Sequence, residues 1–273
     1  MPEKVLESKY LRLEQIIAEM QRVIVAYSGG VDSTLLLYTA NKVLGDNCIG
    51  VMGLSPTVAR HEFLDAMQIA QSISARVDVI ETNEMDNPGY VTNDRMRCFH
   101  CKYELFSTMI NYAHEKEIRY ILDGNNYDDL SDFRPGRDAA KQLNIRSPFV
   151  ETAFTKTEIR EMARHFGLMN WNKPAQPCLA SRMAYGQRID PNILDKIANA
   201  ERYLNDRGFK IVRVRYLGTR VSVEVGPHEI DRLFDPAQQR VIMTKFNSLG
   251  FPEVVFDKEG YRPGKMNRKT SIK

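Results

Sequence analysis

Ser28-Gly29-Gly30-Val31-Asp32-Ser33 decides how the rest of the chain is read. Before it runs Val23-Ile24-Val25-Ala26-Tyr27, an apolar segment of the kind that forms a buried parallel strand. After it runs Thr34-Leu35-Leu36-Leu37-Tyr38-Thr39-Ala40, which reads as a buried helix. The six residues are therefore a strand-to-helix turn. Two adjacent glycines let the backbone approach a ligand closely and adopt dihedrals closed to other residues. The hydroxyls of Ser28 and Ser33 and the free N–H groups of the new helix converge there, as a phosphate cradle requires. The turn lacks the Gly-Lys-[Ser/Thr] ending of a Walker loop. Asp32 adds negative charge instead, which makes sense where Mg²⁺ bridges it to phosphates. An ordinary glycine turn of an α/β protein is the plainer alternative.

Residues 3–21 place Leu6, Leu13, Ile16, Ile17 and Met20 on one face of an amphipathic helix. A second strand is expected over 48–54, a helix over 59–74 and a third strand over 77–80. This β-α-β-α-β alternation predicts an α/β fold built on a parallel sheet. A long polar stretch, 81–97, leads into Cys98-Phe99-His100-Cys101, where a helix to about Lys116 begins. A fourth strand, 120–124, ends in Asp123 and Gly124, followed by Asn125 and Asn126. Ligands of open α/β sheets sit outside the carboxyl ends of the strands, so these residues share an edge with the 28–33 turn. An acidic segment of mobile character, 128–132, precedes Phe133-Arg134-Pro135-Gly136-Arg137. A short last strand is expected at 145–149, and Thr155-Lys156-Thr157-Glu158 is a capping box. The polar stretches 83–97 and 126–137 are candidate lids over the sheet edge.

The irregular loop from Trp171 to Arg182 closes a first domain, 1–180, and leaves a small α+β domain, 181–273. Asp190-Pro191 starts a helix whose buried face carries Ile193, Ile197, Ala200 and Leu204. A hairpin over 210–216 and 220–225 alternates an apolar face with a polar one carrying Arg213, Arg215 and Glu224. Helical residues 227–249 and a strand near 254–256 complete the unit.

The 273 residues carry 38 basic and 35 acidic side chains, a formal charge of +3, which is too small to demand a nucleic-acid partner. No run reaches the roughly 18 apolar residues of a membrane span, and the charged N-terminus has no signal-peptide core. The expected location is cytoplasmic. With 4 cysteines and no export signal, a disulfide framework is not expected. Cys48 sits in an apolar strand and reads as a buried structural thiol. Cys98 and Cys101 are compatible with zinc, a redox pair or an iron–sulfur cluster. Cys178 stands in an irregular loop where a structural thiol has little reason to be. Three thiolates on four irons would leave one iron open to an exogenous ligand such as sulfide.

The turn resembles the SGGxDS signature of the PP-loop pyrophosphatases, adenine nucleotide alpha hydrolase-like (HUP) folds. That resemblance implies cleavage of ATP to AMP and pyrophosphate. Adding Asp123-Gly124, Asp132-Phe133-Arg134-Pro135-Gly136, Trp171-Asn172-Lys173, Pro177-Cys178-Leu179-Ala180-Ser181-Arg182 and Val212-Arg213-Val214-Arg215, the chain resembles the LarE-type ATP-dependent sulfur insertases of nickel-pincer nucleotide biosynthesis. The family implies adenylylation of a carboxylate of pyridinium-3,5-biscarboxylic acid mononucleotide, then replacement of AMP by sulfur. It assigns nucleotide binding to Ser28, Gly29, Gly30, Asp32, Ser33, Leu54, Asp123 and Gly124, with Asp32 also catalytic through Mg²⁺. Ser181, Arg182, Arg213, Arg215 and Glu224 would receive the substrate, and Cys178 matches the sulfur-bearing cysteine. Of the family's two styles, a sacrificed cysteine or a three-cysteine [4Fe-4S] cluster, the presence of Cys98, Cys101 and Cys178 implies the second. A sulfur donor, either sulfide or a desulfurase system, and a homo-oligomer are also implied. The thiol at 178 is then expected to face the α-phosphate end of a nucleotide on the 28–33 turn. The competing readings are a PP-loop tRNA thiolase with a cluster, a non-enzymatic ATP-binding module, and an ammonia-using ATP pyrophosphatase.

Overall fold

The structure is a computed structural model that describes residues 2–131, 134–174 and 177–262. Asp132-Phe133 of the motif ending at Gly136, and Ala175-Gln176 of the loop before Cys178, lie outside the described residues. The chain forms two compact units. One takes in Met1–Asn87 and Met96–Gln176, the other Pro88–Arg95 and the residues from Pro177 onward.

The first unit is a four-stranded parallel sheet of β1 (Val23–Ala26), β2 (Cys48–Leu54), β3 (Val77–Glu81) and β4 (Tyr120–Leu122), in the order β3-β2-β1-β4. Its helices are α1 (Pro2–Met20), α2 (Val31–Leu44), α3 (Arg60–Ser72), α4 (Arg97–Glu115), α5 (Pro135–Gln142) and α6 (Lys156–His165). The central strand β1 pairs Val23 with Cys48 on one side and with Tyr120 on the other. Successive side chains of a strand point to opposite faces. Accordingly Val23 and Val25 join a core with Leu13, Ile17, Leu36 and Ile159, while Ile24 and Ala26 join a second core with Phe106, Met109 and Ala140. Burial on both faces explains the unbroken apolar run that precedes the turn.

Three expectations are corrected. The last strand at 145–149 reduces to a single parallel bridge, Leu122 to Arg146, because Pro148 opens a helical turn over Pro148–Glu151. The acidic segment is a 3₁₀ turn over Tyr127–Ser131 rather than a mobile loop. Its Asp129 is buried, accepts from the Asn126 N–H at 3.1 Å and pairs with Arg134 at 2.8 Å. The stretch 83–97 is not a free polar loop either, since residues 88–95 are built into the second unit. Tyr90, Val91 and Asn93 are buried there. The carbonyls of Val91 and Asn93 accept from the N–H groups of Ile189 and Gly186, and the Asn93 amide donates to the Ala184 carbonyl at 2.8 Å.

The second unit holds the sheet β5 (Val212–Tyr216), β6 (Val221–Val225) and β7 (Val254–Phe256), with β6 central, antiparallel to β5 and parallel to β7. The helix α7 (Pro191–Asp206) packs on β5 and on α8 (Pro236–Ser248). Asp190 caps α7 by accepting from the Asn192 N–H at 2.8 Å. The buried stripe of α7 runs Leu194, Ile197, Ala200, Glu201 and Leu204, so Leu194 replaces the expected Ile193 and a carboxylate joins it. The hairpin's polar face is not an open one: Arg213, Arg215, Ser222 and Glu224 are all buried.

Candidate active site

Gly29 takes φ +70°, and a side chain there would bring its Cβ to 2.5 Å from that of Ala66, so only glycine fits the turn. Gly30 is the N-cap of α2 and supplies no side-chain cap, which leaves the first N–H groups of the helix free for an anion. The Ser33 hydroxyl donates to the Gly30 carbonyl at 3.1 Å and accepts from the Ser28 N–H at 3.2 Å, and the two serine hydroxyls lie 3.1 Å apart. Gly124 lets the end of β4 come against this turn, because a Cβ there would stand 3.0 Å from the Ser33 nitrogen. The result is a cavity of about 150 Å³ lined by Ser28, Asp32, Ser33, Lys102, Asp123, Gly124 and Asn125. Of the sequence-expected nucleotide residues, Leu54 is exposed at the end of β2 and is not among those lining the cavity.

Asp32 forms an ion pair with Lys156, and Asn126 donates to its other carboxylate oxygen at 3.3 Å. Lys156 is set in place by its own N–H, which donates to Asp128 at 2.8 Å. Asp123 is buried and accepts from the Ser147 hydroxyl at 2.6 Å and from the Asn125 N–H at 3.1 Å. Burial pushes its carboxyl above the ordinary carboxylate range, against the pull of the Ser147 hydroxyl and the Lys102 ammonium. Two carboxylates and two hydroxyls form a hard, oxygen-rich donor set, which fits Mg²⁺, and the helix N-terminus beside them suits the phosphates that would share the ion. Lys102 and Lys156 are functional candidates that sequence reasoning missed. A lysine within a capping box carries no local sign of its distant partner.

Cys48 is buried, and burial pushes its thiol to about 12, so it is inert as expected. Cys98 is exposed and Cys101 half-buried, three residues apart on the first turn of α4 and so on one helix face. No cysteine is in a disulfide. The pair has the donor chemistry of a thiophilic metal or cluster. Among the described residues, no three His, Cys, Asp or Glu side chains are gathered into a metal site.

In the second unit, Cys178 precedes a 3₁₀ turn, Leu179–Arg182. The Arg182 guanidinium is 1% exposed and holds this segment from inside. It donates to the carbonyls of Pro177 and Cys178, the latter at 3.2 Å, and to the Ser181 hydroxyl at 3.2 Å. Its other edge pairs in bidentate fashion with Glu201 at 3.0 and 2.9 Å. Glu201 also accepts from the Val214 N–H at 2.9 Å, tying the loop to β5. Arg215 pairs with Glu224 at 2.8 Å and reaches the Ser181 carbonyl at 3.5 Å. Arg213, opposite Glu224 in the ladder, lies over the Tyr261 ring at 4.9 Å. The expected residues Cys178, Ser181, Arg182, Arg215 and Glu224 are thus joined in one network, with Arg213 beside it. The bond pattern makes Arg182 a brace for the loop. Glu201→Ala would strand its buried charge, and a loss of about 3–5 kcal/mol of stability is expected in denaturant titration. A loss below about 1 kcal/mol would show that Arg182 finds another partner.

A family model described as NAD synthase matches residues 6–95, the segment holding the glycine turn and β1 to β3. Relatives align along nearly the whole chain. An uncharacterized protein of Synechocystis sp. is 41% identical, over 96% of this chain and 98% of its own. The pyridinium-3,5-bisthiocarboxylic acid mononucleotide synthase of Lactiplantibacillus plantarum is 33% identical, over 96% of this chain and 95% of its own. An uncharacterized protein of Methanocaldococcus jannaschii is 28% identical, over 93% and 97%.

Proposed function

The chain belongs to the LarE-type family of the pyridinium-3,5-bisthiocarboxylic acid mononucleotide synthase, and from that membership we propose that it is an ATP-dependent sulfurtransferase acting on the biscarboxylate precursor of that mononucleotide. A carboxylate oxygen of the substrate attacks the α-phosphorus of ATP and pyrophosphate leaves. A sulfur nucleophile then attacks the acyl carbon, and AMP departs with the carboxylate oxygen, leaving a thiocarboxylate. A carboxylate is a poor electrophile, and adenylylation makes it a good one.

The observation that supports this most is the glycine turn with Asp32 on the first turn of α2, opening on the Asp123–Gly124 end of β4. Ser28, Gly29, Gly30 and Ser33 would cradle the phosphates, and Asp32 would share Mg²⁺ with them. Lys102 and Lys156 add positive charge where phosphate oxygens would gather. Ser181, Arg213 and Arg215 would orient the phosphate and carboxylates of the substrate. Cys178 would present the sulfur, held by Arg182 and Glu201. A [4Fe-4S] cluster on Cys98, Cys101 and Cys178 would supply an extra sulfide for transfer. A desulfurase or free sulfide would replenish the sulfur between turnovers.

The test incubates anaerobically purified protein with Mg²⁺-ATP, sulfide and the biscarboxylate mononucleotide. Pyrophosphate release and a product with sulfur in place of oxygen are expected, together with iron and acid-labile sulfide in the reconstituted protein. Pyrophosphate without the sulfur product would leave an ATP pyrophosphatase of another acceptor. No pyrophosphate at all would remove the enzymatic reading, and iron-free protein that still gives product would remove the cluster.

A further inference from the structure

Asn170 has no part in the chemistry above, yet its side chain is bonded directly to the backbone of the glycine turn. It is 3% exposed and sits in a turn after α6, between Met169 and Trp171. Its side-chain amide donates to the Gly29 carbonyl at 3.0 Å and to the Thr34 hydroxyl at 2.9 Å. Its side-chain oxygen is buried with no hydrogen-bond partner among the described residues. The reverse assignment of oxygen and nitrogen would set two acceptors against each other at Gly29, so the amide orientation follows from the partners.

The turn carrying Asn170 is itself braced. Arg160 donates to the carbonyls of Trp171 and Lys173 at 3.2 and 3.0 Å, and Arg164 lies 5.2 Å over the Trp171 ring. On the far side, the Tyr27 hydroxyl donates to the Ala66 carbonyl at 2.8 Å and lies within reach of Thr34. The Gly29 peptide is therefore held from behind by a buried polar network. A buried acceptor left unpaired is unfavourable, and an apolar side chain of similar size would avoid it. What an apolar side chain cannot provide is the donor to Gly29.

That donor has a directional consequence. In a trans peptide, the C=O of Gly29 and the N–H of Gly30 point in opposite directions. Fixing the first on Asn170 aims the second away from the Asn170 network. Glycine backbones are otherwise free to rotate such a peptide. We propose that Asn170 is a positioning residue that presets the Gly29–Gly30 peptide for the pyrophosphate part of the nucleotide. This rests on the ATP-dependent reading given above.

The test measures calorimetric affinities of full-length protein for α,β-methylene-ATP and for AMP, each with Mg²⁺. Asn170→Leu removes both donor and orphan acceptor at similar volume. It is expected to weaken α,β-methylene-ATP about tenfold, the order of one lost hydrogen bond, with AMP affinity unchanged within about twofold, and to lower the melting temperature somewhat because the Gly29 carbonyl loses its donor. A merely structural role would weaken both ligands alike. Should Asn170→Leu not fold, Asn170→Ser keeps a shorter donor, and an intermediate loss confined to α,β-methylene-ATP is expected. Equal affinity for that analogue in a folded variant and in the wild type overturns the inference, as does equal weakening of both ligands. Wild-type protein that binds neither nucleotide would instead overturn the ATP-dependent reading, and the inference with it.

Discussion

Asp32→Asn is expected to lower the rate of pyrophosphate release from ATP by on the order of 10²–10³-fold while leaving the fold intact. The substitution keeps the side-chain shape and can still accept from Asn126, which reaches the Asp32 carboxylate at 3.3 Å. What it removes is the negative charge that would hold Mg²⁺ against the phosphates. Without the ion, the charge developing on departing pyrophosphate is left to Lys102, Lys156 and the helix N-terminus. The cost to stability is expected to be small. The Asp32 and Lys156 side chains are 22% and 34% exposed, and an ion pair so open to water contributes at most about 1 kcal/mol. A pyrophosphate assay across a Mg²⁺ series, read beside a thermal melt, separates the two effects. Raising Mg²⁺ should recover part of the lost rate if Asp32 acts through the ion. A variant with more than about a third of wild-type turnover at ordinary Mg²⁺ would take Asp32 out of the mechanism.

The first unit is readable in the sequence because its central strands β1 and β2 are buried on both faces and its helices alternate with the strands. The strand expected over 48–54 is found at Cys48–Leu54, and the capping box at Thr155 and Glu158 is formed by both of its reciprocal bonds. The residues that escaped notice share one property: their partners are far along the chain. Lys156 reaches Asp32 across 124 positions and Asn170 reaches Gly29 across 141. No local pattern marks a single polar residue for such a contact. Glu201 is different, because a signal was present. It lies one turn beyond Ile197, on the stripe that carries Ala200 and Leu204. A carboxylate on an apolar stripe ahead of an arginine-rich strand asks for a buried guanidinium, and Arg182 provides it. The hairpin's alternation put its arginines and Glu224 on one polar face but carried no sign of their burial. Alternating arginine and valine normally marks a solvated face, whereas here Glu224 and the Tyr261 ring accompany the arginines into the interior.

Cys178→Ser is expected to abolish thiocarboxylate formation, a loss beyond about 10³-fold, while pyrophosphate release stays within about threefold of wild type. The asymmetry follows from the order of the chemistry. In the proposed reaction adenylylation would use the glycine turn and Asp32, none of which involves a thiol. Sulfur delivery comes afterwards and needs a soft, ionisable nucleophile or ligand. A serine hydroxyl is neither at neutral pH. The backbone around position 178 should hold, because the Arg182 brace grips the carbonyls of Pro177 and Cys178 and not the thiol. In an assay without added sulfide, the acyl-adenylate would then have only water as its partner, so ATP would be consumed with return of the starting carboxylate. Mass spectrometry of the nucleotide product, run beside the pyrophosphate assay, distinguishes this uncoupling from a general defect. Cys98→Ser divides the two sulfur styles. A sacrificed Cys178 would still give one equivalent of product per chain, whereas delivery from a cluster would give none. Sulfur product from Cys178→Ser protein, or loss of both activities together, would mean that Cys178 is not the point from which sulfur is delivered.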